Sequence, residues 1–194
     1  MLSQLLSFVL SPVVSLFRMT FFGPSIKISV EPQRRVRVRF DGESVDGIRQ
    51  AILLRNIGRG EAAWCSPQVI TVWHDGELID GETSTLQWSS TELNAVFSQK
   101  RFPSGASFPV QVFGTDERTR TLQIKSEKER SRSGHVFRVS GRYTVDIRVQ
   151  VDVWGKSKYV RLHSNFDSNT LNIEVEQLET TLRRPKALGV QETF

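Results

Sequence analysis

The chain has 194 residues, of which 38% are hydrophobic, and a formal net charge of +5. That is core material for one ordinary domain plus an appendage, and it excludes a disordered composition. The one cysteine, Cys65, excludes an intrachain disulfide framework and a Cys-x-x-Cys metal site, while the basic balance admits phospholipid head groups, nucleic acid or an acidic protein as partners, or simply a solvated basic surface.

Residues 1–22 are predicted to form an apolar helix whose one charge is Arg18. At about 1.5 Å per residue such a helix is roughly 33 Å long, enough to cross a hydrocarbon layer of about 30 Å. Gln4, Ser7, Ser11, Ser15 and Arg18 recur every three or four residues and make one narrow polar stripe. Leu5, Leu6, Val9, Val13, Leu16 and Phe17 lie away from that stripe. Phe21 and Phe22 precede the Gly23-Pro24 stop as interface aromatics. These apolar side chains are the candidate membrane anchor. Three arrangements suit the pattern: a spanning helix, which the length favours, an amphipathic helix lying in the interface, and a helix packed on the protein's own sheet. A cleaved export signal fits less well, because no Lys or Arg precedes the apolar run and no A-x-A-like site follows it. Pro12 opposes a straight helix, though membrane helices tolerate proline better than water-exposed ones. Beyond the segment come Lys27, Arg34, Arg35, Arg37 and Arg39 against Glu31, so for a spanning helix the positive-inside rule places the body in the cytoplasm.

The rest of the chain alternates at period two. Ile26–Val30 and Val36–Phe40 read as strands separated by Glu31-Pro32. In the second, Val36, Val38 and Phe40 face a core, and Arg35, Arg37 and Arg39 form an outer basic row. The row suits anionic lipid, and equally suits an edge strand that resists aggregation by charge. Residues 41–47 are predicted as a turn-rich loop, 50–55 as an apolar strand, and 56–62 as a loop released by glycines. Residues 67–73 form a strand ended by the His74-Asp75-Gly76-Glu77 hairpin turn. Further strands are expected at 86–88, 108–113 and 119–125, with a helical turn or loop at 91–97 and a turn at Pro103–Gly105. Residues 126–134 read as an exposed tip whose Lys128, Arg130 and Arg132 complete the candidate basic surface. From Arg142 to Val153, polar and apolar residues alternate without a break and predict one long strand with a buried and a wet face. Strands at 159–162 and 171–175 follow, with a loop at 165–169 between them. Residues 178–194 form a tail expected to be loosely held or docked on a partner. The fold class expected is mainly β: an antiparallel sandwich over 26–177 with an N-terminal apolar helix.

Some short motifs narrow this. The strand 51–55 runs into Asn56-Ile57-Gly58, the strand from Val69 ends in Asp75-Gly76, Pro103-Ser104-Gly105 makes a turn, and Gly141-Arg142-Tyr143 opens a strand. In this combination, spanning Ile26 to Gln177, the chain resembles bacterial immunoglobulin-like or fibronectin-type domains such as the adhesion-related CARDB domains. The resemblance implies an immunoglobulin-like β-sandwich and says little of function.

No residue pattern points to catalysis. His74, His135 and His163 lack a metal-binding spacing. His74-Asp75 with a distant serine lacks a Gly-x-Ser-x-Gly elbow. Asp41, Asp46, Asp75 and Asp80 flank turns without the spacing of a calcium loop. Trp64, Trp73, Trp88 and Trp154 are expected as core or rim packing, and Cys65 as a small buried hydrophobe. The basic stretch 118–142 offers only Phe137 as a stacking platform for bases, which disfavours nucleic acid. The function expected is that of a non-catalytic, membrane-tethered sandwich acting by protein–protein contact, without cofactor, metal or small-molecule substrate. The alternative is a soluble basic module that binds nucleic acid or another polyanion.

Overall fold

The computed structural model describes residues 23–40, 43–89, 100–127, 136–151 and 157–188. Their strands are β1 (Ile26–Val30), β2 (Arg34–Phe40), β3 (Glu43–Asn56), β4 (Ala62–His74), β5 (Glu77–Asp80), β6 (Ser84–Thr85) and β7 (Gln87–Trp88) in the first half of the chain. The second half forms β8 (Lys100–Phe102), β9 (Ser107–Asp116), β10 (Thr121–Ile124), β11 (Val136–Phe137), β12 (Gly141–Val151), β13 (Lys158–Asp167) and β14 (Asn172–Thr181). All pair antiparallel, in two sheets. The first runs β1-β3-β9-β10-β11, with β2 beside β3 and β7 beside β9. The second runs β14-β13-β12-β4-β5, with β6 and β8 also on β4. Two such sheets face to face are compatible with an immunoglobulin-like fold.

The alternation in sequence becomes the core between the sheets. Ile52, Leu54, Val110 and Val112 of the first sheet share one buried cluster with Val69, Val72, Val145, Ile147 and Leu162 of the second. Each such fully buried aliphatic side chain stabilises the fold by roughly 1.5–3 kcal/mol. Aromatic rings close the two ends. Trp88 and Phe102 both pack on Phe108, with centroids 6.1 and 5.1 Å away. At the other end Tyr143 packs on Phe137 at 5.3 Å and Phe166 at 6.4 Å. The Tyr143 hydroxyl donates to Val139 O at 2.8 Å, which pins the segment leading into β12. The β4–β5 hairpin turns on Asp75 (φ 47°) and Gly76 (φ 88°). Two successive positive φ values match the twist of the flanking strands, as the Asp-Gly pair predicts.

The structure corrects several expectations. Residues 43–47 are not loop but the start of β3. Gly47 permits it, since a Cβ there would lie 2.2 Å from Thr115 O, and Thr115 Oγ1 accepts from Ile48 N at 2.8 Å. Strand β4 starts at Ala62, ahead of the predicted 67, because β8 pairs with its beginning. Strand β13 continues through 165–167, and the turn to β14 comes after it. Strand β14 runs on to Thr181, into the predicted tail. The polar face of β12 is not wet throughout: Thr144 and Asp146 are buried, Arg148 and Gln150 half-buried, and Arg142 exposed. The anchor residues Leu5, Leu6, Val9, Val13, Leu16, Phe17, Phe21 and Phe22, with the helix expected of them, lie outside the described residues, as do 91–97, Lys128, Arg130 and Arg132. Among the described residues no helix is long and apolar enough to cross a membrane.

Candidate functional site

Among the described residues, His74, Asp75 and Cys65 are engaged in turn and packing contacts. His74 and Asp75 do meet Ser140, but His74 Nε2 faces both Asp75 Oδ2 (3.3 Å) and the Ser140 carbonyl oxygen (3.4 Å). A hydrolytic triad needs the carboxylate on one ring nitrogen and a hydroxyl on the other. Instead Asp75 Oδ1 accepts from Arg142 N at 2.8 Å, the imidazole packs on Tyr143 at 4.6 Å, and Ser140 Oγ meets Ser168 Oγ at 2.7 Å. Gly141 (φ 151°) lies beneath the pair; a Cβ there would sit 2.4 Å from His74 Nε2. Asp46 is held by Arg37, Asp80 accepts from Glu82 N, and Asp167 accepts from Asn169 N and Thr170 Oγ1. The turn aspartates thus bond their own surroundings. Cys65 is buried, and burial pushes its thiol up to about 12. Among the described residues no group of His, Cys, Asp and Glu is arranged to hold a metal ion. Trp88 and Trp73 are buried and Trp64 half-buried, as packing residues should be; Trp154 and His135 lie outside the described residues.

A polar row crosses the outer face of the second sheet. Arg161 Nε and Nη2 donate to Asp146 Oδ1 and Oδ2 at 2.7 and 2.9 Å, and Thr71 Oγ1 donates to Asp146 Oδ2 at 2.7 Å. Asp146 is 3% exposed and Arg161 9%. The residues after β14 turn back across this row, so that Lys186 O accepts from Arg161 Nη2 at 2.6 Å. Beside it Thr144 Oγ1 meets His163 Nδ1 at 2.8 Å. Burial, seconded by the Arg142 charge, holds the imidazole of His163 below its ordinary range. Every charge in the row has a partner, as burial requires.

Asn56, which is 0% exposed, makes four side-chain hydrogen bonds. Its Oδ1 accepts from Ser25 N at 3.1 Å and Gly58 N at 3.0 Å, and its Nδ2 donates to Gly60 O at 2.8 Å and Phe102 O at 3.0 Å. Ile57 N donates to Ser25 O at 2.7 Å, and Gly105 N to Asn56 O at 2.8 Å. Gly58 packs directly on the incoming chain; a Cβ there would lie 2.4 Å from Gly23 O. One side chain therefore fastens the start of the body to both sheets.

Of the expected basic surface, Arg35 and Arg37 are exposed on β2, and Arg37 Nε is bound to Asp46 Oδ1 at 2.6 Å. That guanidinium holds the Asp46 carboxyl below the usual carboxylate range. Arg39 is on the same strand, its side chain outside what is described. Arg37 lies 11 residues beyond Ile26, roughly 36 Å along the sheet at about 3.3 Å per residue. The row therefore sits far from the point where residues 1–22 join.

A different basic set gathers at that junction. Lys27 and Arg55 are direct cross-strand partners and both are exposed. Arg59 is exposed in the following loop. Thr181 of β14 pairs with Tyr159 of β13, and Lys158 Nζ donates to Ile26 O, so Arg183 and Arg184, just past β14, come to the same end. Ile57 (58% exposed) and Leu182 (77%) stand among these charges. Sequence spacing concealed this set, because its members come from opposite ends of the chain. No family model, curated protein or solved structure matches the chain.

Proposed function

We propose that the protein is a non-catalytic, immunoglobulin-like binding module of CARDB-like kind, tethered to a membrane by residues 1–22 and acting by contact with another protein. The observation that carries the reading is the junction at Asn56. Residues 23–25 are bonded into the sandwich rather than trailing from it, so whatever the N-terminal segment attaches to is held in a set relation to the body. Strand order and the Tyr143 hydrogen bond at the opening of β12 support the immunoglobulin-like assignment. Commitment of His74, Asp75 and Cys65 to packing and turns supports a binding role over a catalytic one. The basic flank after residue 22 supports a body on the cytoplasmic side.

Fractionation of the full chain tests the tether. It is expected to remain in the membrane pellet through high salt and alkaline carbonate, and crosslinking in the intact membrane is expected to join it to a second protein. A full chain that stays soluble overturns the tether and favours the module as a binder of nucleic acid or another polyanion, a reading that the exposed arginines support. Crosslinking that yields only monomer overturns the role in protein contact.

A further inference from the structure

We propose that the end of the sandwich where residue 23 joins it is a docking surface for an anionic bilayer, which stands the sandwich upright on the membrane. The inference rests on the tether proposed above and adds the surface beside it. Lys27 and Arg55 are directly opposite on neighbouring strands, an arrangement that is unfavourable unless an anion lies over both. Arg59, Arg183 and Arg184 are exposed at the same end. The Glu61 carboxylate, which is also there, is already taken by Arg101 through two hydrogen bonds. Ile57 and Leu182 project among the charges, 58% and 77% exposed. Basic side chains round exposed aliphatic tips match a head-group layer above acyl chains: the charges meet phosphate and carboxylate while the tips enter the interface.

The far end carries charges of both signs. Asp75, Asp116, Glu117 and Asp167 lie at the β4–β5, β9–β10 and β13–β14 turns, beside Arg118 and Arg120 on the β9–β10 turn and Arg35 and Arg37 on β2, the last paired with Asp46. Arg120 crosses between the sheets at that end and donates to the Ser168 and Asn169 carbonyl oxygens, at 2.9 and 2.6 Å. An anionic surface attracts the junction end, where one sign prevails, more strongly than the far end, where the signs offset each other, so the sandwich gains a preferred orientation. Each basic side chain held at such a surface changes partition by about fivefold.

Orientation is read with fluorophores at the two ends of β9, using Ser107→Cys (beside Arg55) and Glu117→Cys in the full chain. Cys65 is buried with its thiol pushed up to about 12, so it does not take the label in the folded protein. Energy transfer to a labelled lipid is measured on vesicles of phosphatidylcholine alone and on phosphatidylcholine with phosphatidylserine. On the anionic vesicles transfer from position 107 is expected to exceed that from 117, which is ten residues and roughly 34 Å farther along the strand. Added salt, or the triple change Arg55→Glu, Arg183→Glu and Arg184→Glu, should erase the difference while the protein still floats, with its melting temperature confirming the fold. Flotation with equal transfer from both positions, or with the same difference on neutral vesicles, overturns the docking surface and leaves the tether standing. Flotation on anionic vesicles only, released by salt, supports the surface and overturns the tether. Failure to float on either overturns both. If a labelled oligonucleotide binds and the triple variant abolishes that binding, while transfer shows no orientation, the end is a nucleic-acid surface and the proposal fails.

Discussion

Replacing Asn56 by alanine should be among the most damaging single changes in the protein. The side chain makes four hydrogen bonds, two accepted from Ser25 N and Gly58 N and two donated to Gly60 O and Phe102 O. Each is worth about 1 kcal/mol net, so alanine should cost about 4 kcal/mol, more where the orphaned backbone groups stay out of reach of water. For a protein of this size that corresponds to a fall in Tm of about 8–16 °C. In urea the midpoint should drop by about 2 M for a slope near 2 kcal/mol per M. Asn56→Asp separates this account from a simple loss of bulk. Aspartate keeps the acceptor, loses both donors and sets a carboxylate against the Gly60 and Phe102 carbonyl oxygens, so near neutral pH it should cost at least as much as alanine. A loss below about 1 kcal/mol for alanine, or a neutral aspartate, would refute the assignment of Asn56 as the junction's fastener.

Other expectations follow from the same geometry. Asp146→Ala leaves the Arg161 guanidinium buried without its carboxylate and should destabilise by about 3–5 kcal/mol in equilibrium denaturation; a cost under about 1 kcal/mol would mean that the row is open to water. Tyr143→Phe deletes only the hydroxyl bonded to Val139 O and should cost about 0.5–1.5 kcal/mol, an unchanged denaturation midpoint being the contrary result. His163 is a base whose folded-state pKa is depressed below 6.5 by burial and then by Arg142, while Glu176 and Glu179 oppose the shift. Such a base binds fewer protons folded than unfolded, so its contribution is complete above about 6.5 and is lost as pH falls through the folded value. Denaturation at about pH 7.5 and about pH 5.5 should show a smaller acid loss in His163→Gln than in the parent, and equal losses would contradict the shift. Cys65 should not react with a thiol reagent in the native state and should react fully in denaturant, whereas rapid native labelling would contradict its burial.

The parts of the fold visible in the sequence are those that local chemistry decides. Val145, Ile147 and Val149 alternate because one face of β12 meets the core, and Asp75-Gly76 turns because both residues accept positive φ. Residues 43–47 misled because Asp46 and Gly47 read as turn residues. Their actual roles, pairing with Arg37 and making room for Thr115 O, are set by other strands. The wet face expected of β12 failed at Thr144 and Asp146 for a related reason. Polar residues in alternation say which side faces away from the core, not whether another segment returns over it, as the chain at Lys186 does. The buried Asp146–Arg161 pair had a weak signal, a carboxylate in the middle of a long strand. Asn56 had a better one, a strand ending in Asn-x-Gly, which the neighbouring glycines disguised as a loop. The basic end had none, since Lys27 and Arg184 come to one end of the sandwich only when the two sheets pack together.

The most direct test of the account is tryptic digestion of the full chain reconstituted in phosphatidylcholine–phosphatidylserine vesicles, with the membrane-retained peptides identified by mass. Arg18 lies within the proposed anchor and Lys27 just beyond the junction. Protection at Arg18 with cleavage after Lys27 or beyond, leaving a retained peptide that begins at Met1 and includes the intact Arg18 bond, is the predicted result. Cleavage after Arg18 as fast in vesicles as in their absence would contradict an anchor formed by the first 22 residues.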